Sequence, residues 1–360
     1  MLHLSPLCGN KPRILFLPNW RVHPEVPGEA RQSPDFFPRD GRYWMFRHFD
    51  SVPRVDVLDA ASWRYWAKEE QYLRFYVGQA ARALSRCRDY DLVFAFGAQS
   101  AVALLGALRL LRRRHPPVIV DDAGCLNAGR PDRRLSFWST RWALREAAHV
   151  VWHSSASLRL CEDVCPELAT RGQFFPFGVN LPDLAGAVVA DGDYAICVGQ
   201  SPRDWRNLAA TWSRFPYRQL ILVGAPQTGV PRQPNVTVLP KVPFAEYISL
   251  LAGARLVILP IPDGLASWGQ MTLLQAMGLG KPVIVTDVRP VRDYISAGCV
   301  RVKANDVADL TRAVDRFWED EEARRTLGNE ARRVIADFYS EPVMAKRFQS
   351  IITETLLRAR

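Results

Sequence analysis

A chain of 360 residues is long for a single hydrophobic core, and two domains of ordinary size are expected. Hydrophobic residues make up 48% and charged residues 23%, which excludes a disordered chain, and the longest apolar stretch, Ala101 to Leu111, is cut by Arg109 and too short to span a bilayer. The net charge of +10 favours acidic partners: nucleoside diphosphates, anionic lipid surfaces or nucleic acid.

Seven scattered cysteines, an odd number, argue against a disulfide framework and for a reducing compartment. Cys161 and Cys165 lie one helical turn apart without a second close pair or a histidine cluster, so they read as small apolar side chains rather than zinc ligands. Met1 to Pro12 has no long apolar core of the kind a signal peptide needs, and a cytoplasmic protein is expected.

Arg13 to Pro18 is a short apolar run that reads as the first strand of an open sheet. Asn19 to Arg42, with four prolines and two glycines, is a loop at the carboxyl edge of that sheet, where ligands bind, and Asn19, Trp20 and Arg21 are its nearest candidates. Val55 to Leu58 reads as a strand. Trp63 to Arg88 reads as a long helix with Trp66, Leu73, Val77, Ala80 and Leu84 on one side. After a strand at Asp91 to Gly97, a helix over Ala101 to Arg114 ends in the basic run Arg112 to His115. That run suits contact with anionic lipid or nucleic acid; a solvated helix end is the plainer account.

Pro117 to Gly124 is the next strand and loop. A carboxylate there, Asp122 before Asp121, could orient an acceptor hydroxyl, or equally cap the next helix. His149 to Ser154 is a further strand, with His149 and His153 as strand-end residues. Leu181 to Asp193 reads as an interdomain linker. Two Asp-x-Asp triplets, Asp89 to Asp91 and Asp191 to Asp193, precede strands and so lie at the amino edge, opposite a ligand crevice; no spacing asks for a metal.

The second half opens with a strand at Tyr194 to Gln200 that runs through Gly199 into Arg203. Strands at Gln219 to Gly224 and Val236 to Leu239 lead to Lys241 and Val242, a helix spans Tyr247 to Ala254, and Leu256 to Pro260 is a strand. Next comes a glycine-bearing loop through Ser267, Trp268 and Gly269, a helix at Met271 to Met277, a stop at Gly278 and Gly280, and a strand at Pro282 to Thr286 too uniformly apolar to have a wet face. In such a β-loop-α-β unit the free N–H groups at the helix start make an anion site that would fit a diphosphate, although an ordinary strand-to-helix turn has the same local pattern. Amphipathic helices follow at Asp306 to Asp320, Glu321 to Phe338 and Glu341 to Arg360.

Ser267 to Asp287 resembles the nucleotide-sugar segment of family 4 glycosyltransferases, which have the GT-B fold. Trp268-Gly269 stands for the family's aromatic-Gly pair, and Ala276-Met277 and Gly280-Lys-Pro-Val283 match directly. Ser267 and Gln275 occupy the places of the family's two glutamates. The resemblance implies an α/β chain of two doubly wound Rossmann-like domains facing a cleft: an acceptor-side domain over 1–180, a nucleotide-sugar domain over 181–340, and a final helix over 341–360 that packs back on the first. It implies transfer of a sugar, with retention of configuration, from a nucleoside diphosphate sugar, UDP-sugar favoured.

In that scheme Arg203 grips the diphosphate where the family has a lysine, with Arg206 in reserve, and Gly199 and Gln200 line the same turn. The backbone of Trp268, Gly269 and Gln270 faces the phosphates, Met271 joins the donor-binding residues, Ser267 or Gln270 faces the sugar, Gln275 the ribose, and Lys241 and Val242 the base. Asp122 stands where the family has a histidine. No cofactor and no metal are called for. The acceptor is a glycan, a lipid-linked or a small molecule in preference to nucleic acid, with peripheral contact at an anionic inner membrane face admitted. Two other readings stay open: a non-catalytic partner subunit that kept the fold, and a sugar-nucleotide epimerase.

Overall fold

A computed structural model describes residues 11–28, 31–73, 75–112, 114–121, 134–199, 202–226, 230, 233–265 and 267–359. Apolar runs flanked by turn residues form two parallel sheets. The first contains β1 (Arg13–Leu17); a small bridge of β2 (His23–Pro24) and β3 (Phe36–Phe37) staples the loop that follows. The sheet continues with β4 (Arg54–Val57), β5 (Leu92–Phe96), β6 (Val118–Asp121), β7 (His149–Trp152) and β8 (Gly172–Phe174). Its order is β4-β1-β5-β6-β7-β8, all pairs parallel. Between the strands run α1 (Trp66–Lys68), α2 (Val77–Arg86), α3 (Ala98–Leu110), α4 (Arg134–Leu144), α5 (Ser155–Val164) and α6 (Pro166–Ala169).

The second sheet consists of β9 (Tyr194–Val198), β10 (Gln219–Val223), β11 (Val236–Leu239), β12 (Leu256–Leu259), β13 (Val283–Thr286) and β14 (Cys299–Val302), in the order β11-β10-β9-β12-β13-β14 and again parallel throughout. With it go α7 (Trp205–Trp212), α8 (Phe244–Gly253), α9 (Gln270–Gly278), α10 (Val307–Glu319) and α11 (Glu321–Phe338). Every residue of β12 and β13 is buried, as strands covered on both faces must be. Each strand order reverses once, between β1 and β5 in the first sheet and between β9 and β12 in the second. The crevice outside the carboxyl ends at those two points is where open α/β sheets take ligands.

The last helix, α12 (Glu341–Ala359), buries Met344, Phe348, Ile351 and Ile352 in the same cluster as Ile14, Phe16 and Phe94 of the first sheet. Its first residue, Glu341, is buried and takes the guanidinium of Arg47 at 2.7 Å. A further crossing is made by Tyr294, whose hydroxyl donates to the His153 carbonyl at 2.8 Å and accepts from the Phe177 N–H at 3.0 Å. Beside it the Asp293 carboxylate accepts from the N–H and hydroxyl of Ser155, so a side chain of the second domain caps α5 of the first.

Two expected helices need correction. Trp63 to Arg88 is not one helix: α1 passes into a π-helical turn over Glu69–Leu73, and the Glu69 carboxylate accepts the Gly78 N–H at 3.0 Å where α2 restarts. Gly78 lies so close to the Trp63 ring that a Cβ there would be 2.3 Å from it, and Leu73 and Val77 of the expected stripe are exposed. The helix expected over Ala101 to Arg114 begins earlier and ends at Leu110, with Arg112 in the left-handed region at φ 48°. The strands β8 and β14 and the helices α4, α5 and α6 had no counterpart in the sequence reading.

Candidate functional site

The site is built at the reversal of the second strand order. Gly199 follows β9 with φ 129°, and a Cβ there would lie 2.4 Å from Nη2 of Arg203. The glycine thus vacates the volume that the guanidinium fills. Arg203 is only 6% exposed and is pinned by Nη2 donating to the Val198 carbonyl at 2.8 Å and Nη1 to the Pro202 carbonyl at 3.1 Å. Asp204 then caps α7, its carboxylate accepting from Asn207 N–H at 2.9 Å, while its own N–H donates to the Pro260 carbonyl at the end of β12.

Across the crevice, Gly269 starts α9 at φ 84°, with a hypothetical Cβ 2.3 Å from Ile261 Cδ1 and 3.8 Å from Arg203 Nη1. The guanidinium therefore lies against the start of α9, and no side chain among the described residues caps that helix. Uncapped N–H groups at Gln270 and Met271 add the positive end of the helix dipole to the buried arginine, an arrangement suited to an anion. In the preceding loop, Ser267 Oγ and Trp268 Nε1 are buried without a hydrogen-bond partner among the described residues. Trp268 itself packs on Gly264 and the second-domain core.

Gln275, one turn further on, is 5% exposed; its Oε1 accepts the Tyr247 hydroxyl at 2.6 Å and its Nε2 donates to Gln32 Oε1 at 3.3 Å. Burial raises the Tyr247 pKa, so the phenol stays protonated and remains the donor. Gln32 belongs to the long loop of the first domain, and its neighbours cross the cleft as well. Ser33 N–H donates to Asp183 at 2.8 Å, and Asp35, whose pKa is raised by burial, is opposed by Arg31 and by Lys241. Lys241 is exposed, while Val242 packs on the second-domain core.

Gly199, Arg203, Gly269 and the start of α9 are thus brought together, with Gln275 and Ser267 on the same loop and helix. Asn19 is elsewhere: it sits at the reversal of the first sheet, Nδ2 donating to Gln99 at 3.4 Å, and a Cβ on Gly97 would meet it at 2.5 Å. Gln200 and Asp122 lie outside the described residues. Arg206 is exposed on α7. Asp121 is fully buried, with Oδ1 2.8 Å from His153 Nε2. His153 Nδ1 faces the Phe175 carbonyl at 2.9 Å, so Nδ1 carries a proton and another must lie between Nε2 and the carboxylate. Asp121, at the end of β6, is therefore engaged as the buried partner of His153. Sequence reasoning missed Tyr247, Gln32 and Asp35, which no local pattern links to α9.

Lys281 of the Gly-Lys-Pro-Val match is likewise structural. Gly280, at φ 72°, ends α9, and the buried ammonium donates to the Ala190 carbonyl at 2.6 Å. Burial lowers its pKa to about 8. The triplet aspartates Asp91 and Asp191 are taken by the Arg13 N–H and the Arg324 guanidinium.

Comparison with known proteins agrees with this geometry. The family model for Glycosyl transferases group 1 matches residues 231–334, the part of the second domain that contains α9 and its loop. Among solved structures, Anabaena HepE in complex with UDP is 15% identical over 95% of this chain and 100% of that chain, with a TM-score of 0.67. Sucrose-phosphate synthase from Thermosynechococcus elongatus is 15% identical over 97% and 100%, with a TM-score of 0.68. The catalytic domain of starch synthase IV from Arabidopsis thaliana, bound to ADP and acarbose, is 13% identical over 97% and 100%, with a TM-score of 0.65. No curated protein sequence matches the chain. The chain has the GT-B fold, two Rossmann-like domains with parallel sheets, and residues 231–334 of its second domain match the family model for Glycosyl transferases group 1.

Proposed function

We propose that the protein transfers a sugar from a nucleoside diphosphate sugar, UDP-sugar favoured, to a glycan, lipid-linked or small-molecule acceptor with retention of configuration, as in family 4. The observation that carries this reading is the buried Arg203 guanidinium held between Gly199 and the uncapped start of α9 at the reversal of the second sheet. As the bond from the anomeric carbon to the β-phosphate oxygen breaks, negative charge grows on the leaving diphosphate. A fixed guanidinium and helix N–H groups stabilise that charge more than they stabilise the intact donor.

Lys241 and Val242 would meet the base, Gln275 the ribose, Ser267 or Gln270 the sugar, and Asn19 and Asp122 the acceptor side. With the charge met by the protein, no metal enters the scheme. The protein would work in the cytoplasm; no helix among the described residues is long and apolar enough to cross a membrane. That HepE has been seen with UDP and UDP-glucose supports the choice of uracil, and starch synthase IV with ADP is the counter-example to test.

A second reading, a partner subunit without turnover, draws on Gln275, whose amide is already engaged by Tyr247 and Gln32. A thermal-shift panel with UDP, GDP, ADP and dTDP, repeated with chelator, addresses the site. A chelator-insensitive rise in melting temperature with UDP supports the reading, by mass action on the native state. A flat response to all four contradicts it. Sugar release from UDP-sugars then separates enzyme from subunit.

A further inference from the structure

At the amino edge of the first sheet, on the end of the domain away from the donor crevice, lies an open basin of about 950 Å³ between the start of β1, the end of α3 and the end of α12. Lys11, Arg88, Arg112 and Arg114 line it, and none of these four side chains has an ion-pair or hydrogen-bond partner among the described residues. Two of the acids nearby are already occupied. Asp91 accepts the Arg13 N–H at 2.7 Å, and Glu146 sits 3.5 Å from Arg109 and 3.6 Å from His115. Arg112 holds a left-handed backbone where glycine would end α3 without strain, so the chain keeps a cation there against its conformational preference.

Large apolar side chains adjoin these cations. Leu110 is 75% exposed and Leu111 follows it into solvent. On α4, which packs along α3, Trp138 is 57% exposed and Trp142 39%, one turn apart and so on one face. Arg109 of α3 stacks over the Trp142 ring at 5.3 Å, which joins the two helices' exposed faces into one surface. Nucleic acid would use the cations and the indoles but has no use for wet leucines at a helix end. An anionic bilayer uses all three: phosphates for guanidinium groups, the headgroup region for indoles, the acyl boundary for leucines.

We propose that this end of the first domain docks on an anionic lipid bilayer, with Trp138, Trp142 and Leu110 entering the interface and the basin's free cations meeting lipid phosphates. The donor crevice, at the opposite, carboxyl edge of the sheets, stays open to the aqueous side.

The test is co-sedimentation of the full chain with phosphatidylcholine vesicles and with phosphatidylcholine–phosphatidylglycerol vesicles, at low and high salt. Binding to the mixed vesicles alone, weakening as salt rises, is expected. Reversing two charges in Arg112→Glu/Arg114→Glu should lower partitioning by more than about a hundredfold. Trp138→Ser/Trp142→Ser should lower it and abolish the blue shift of tryptophan emission on binding. Both variants should melt where wild type does. The wild-type arm decides by itself: failure to sediment with mixed vesicles overturns the proposal. So does duplex DNA binding as tight as vesicle binding, combined with a tryptophan double variant that sediments like wild type.

Discussion

Two basic residues from separate stretches divide between chemistry and scaffold. Arg203 is buried between Gly199 and Gly269, its terminal nitrogens held by the Val198 and Pro202 carbonyls beside the start of α9, whereas Lys281, from the Gly-Lys-Pro-Val match, is buried against the linker carbonyl of Ala190. Lys281 titrates near 8 in the folded chain against 10.5 for an ordinary lysine, because burial disfavours its charge. The unfolded chain therefore binds the extra proton between those values, and stability rises with pH across that window. Lys281→Met should stabilise the protein at pH 7 by on the order of 1–3 kcal/mol, with the gain fading by about pH 10. Urea denaturation at the two pH values checks this. A variant less stable at pH 7 would mean that the bond to Ala190 outweighs the desolvation. The strand ends, glycines and helix start around Gly199, Arg203 and the Ser267 to Gln275 segment could be read locally, while the resemblance to family 4 supplied the roles expected of them. Local spacing could not reveal Gln32 or Asp183, which meet partners 243 and 150 residues away along the chain.

At the scale of elements, the junction between domains rests on a few directed bonds. Tyr294 gives and accepts a hydrogen bond across it, and is fully buried. Tyr294→Phe keeps the ring but leaves the Phe177 N–H and the His153 carbonyl unpaired, which should cost about 1–3 kcal/mol. Chemical denaturation would show it; an unchanged midpoint would mean that water replaces the hydroxyl. The two sheets were readable because their strands are continuous apolar runs; the amphipathic pattern gave α12 as a helix, and its return to the first domain came from the resemblance to family 4. The misread stretch, Trp63 to Arg88, has helical spacing too, but Glu69 spends its carboxylate on Gly78 and turns the chain. The missed strand β8 has three residues, and β14 carries the exposed Arg301, so neither shows a buried strand's signature.

Taken whole, the molecule places a loop of one domain on the site of the other. Gln32 occupies an amide hydrogen of Gln275 that a ribose hydroxyl would want, so Gln32→Ala should bind UDP about fivefold more tightly, the worth of one neutral hydrogen bond. Weaker binding in calorimetry would instead make Gln32 part of the nucleotide's own contacts. The central claim is that the diphosphate is held by Arg203 and the start of α9. Titrating the full chain with UDP and with uridine, which lacks the phosphates, isolates it. Wild type should prefer UDP, and Arg203→Ala should lose about 10- to 100-fold for UDP while holding uridine unchanged. Equal affinity of wild type for the two ligands, or an undiminished preference for UDP in Arg203→Ala, would contradict the account.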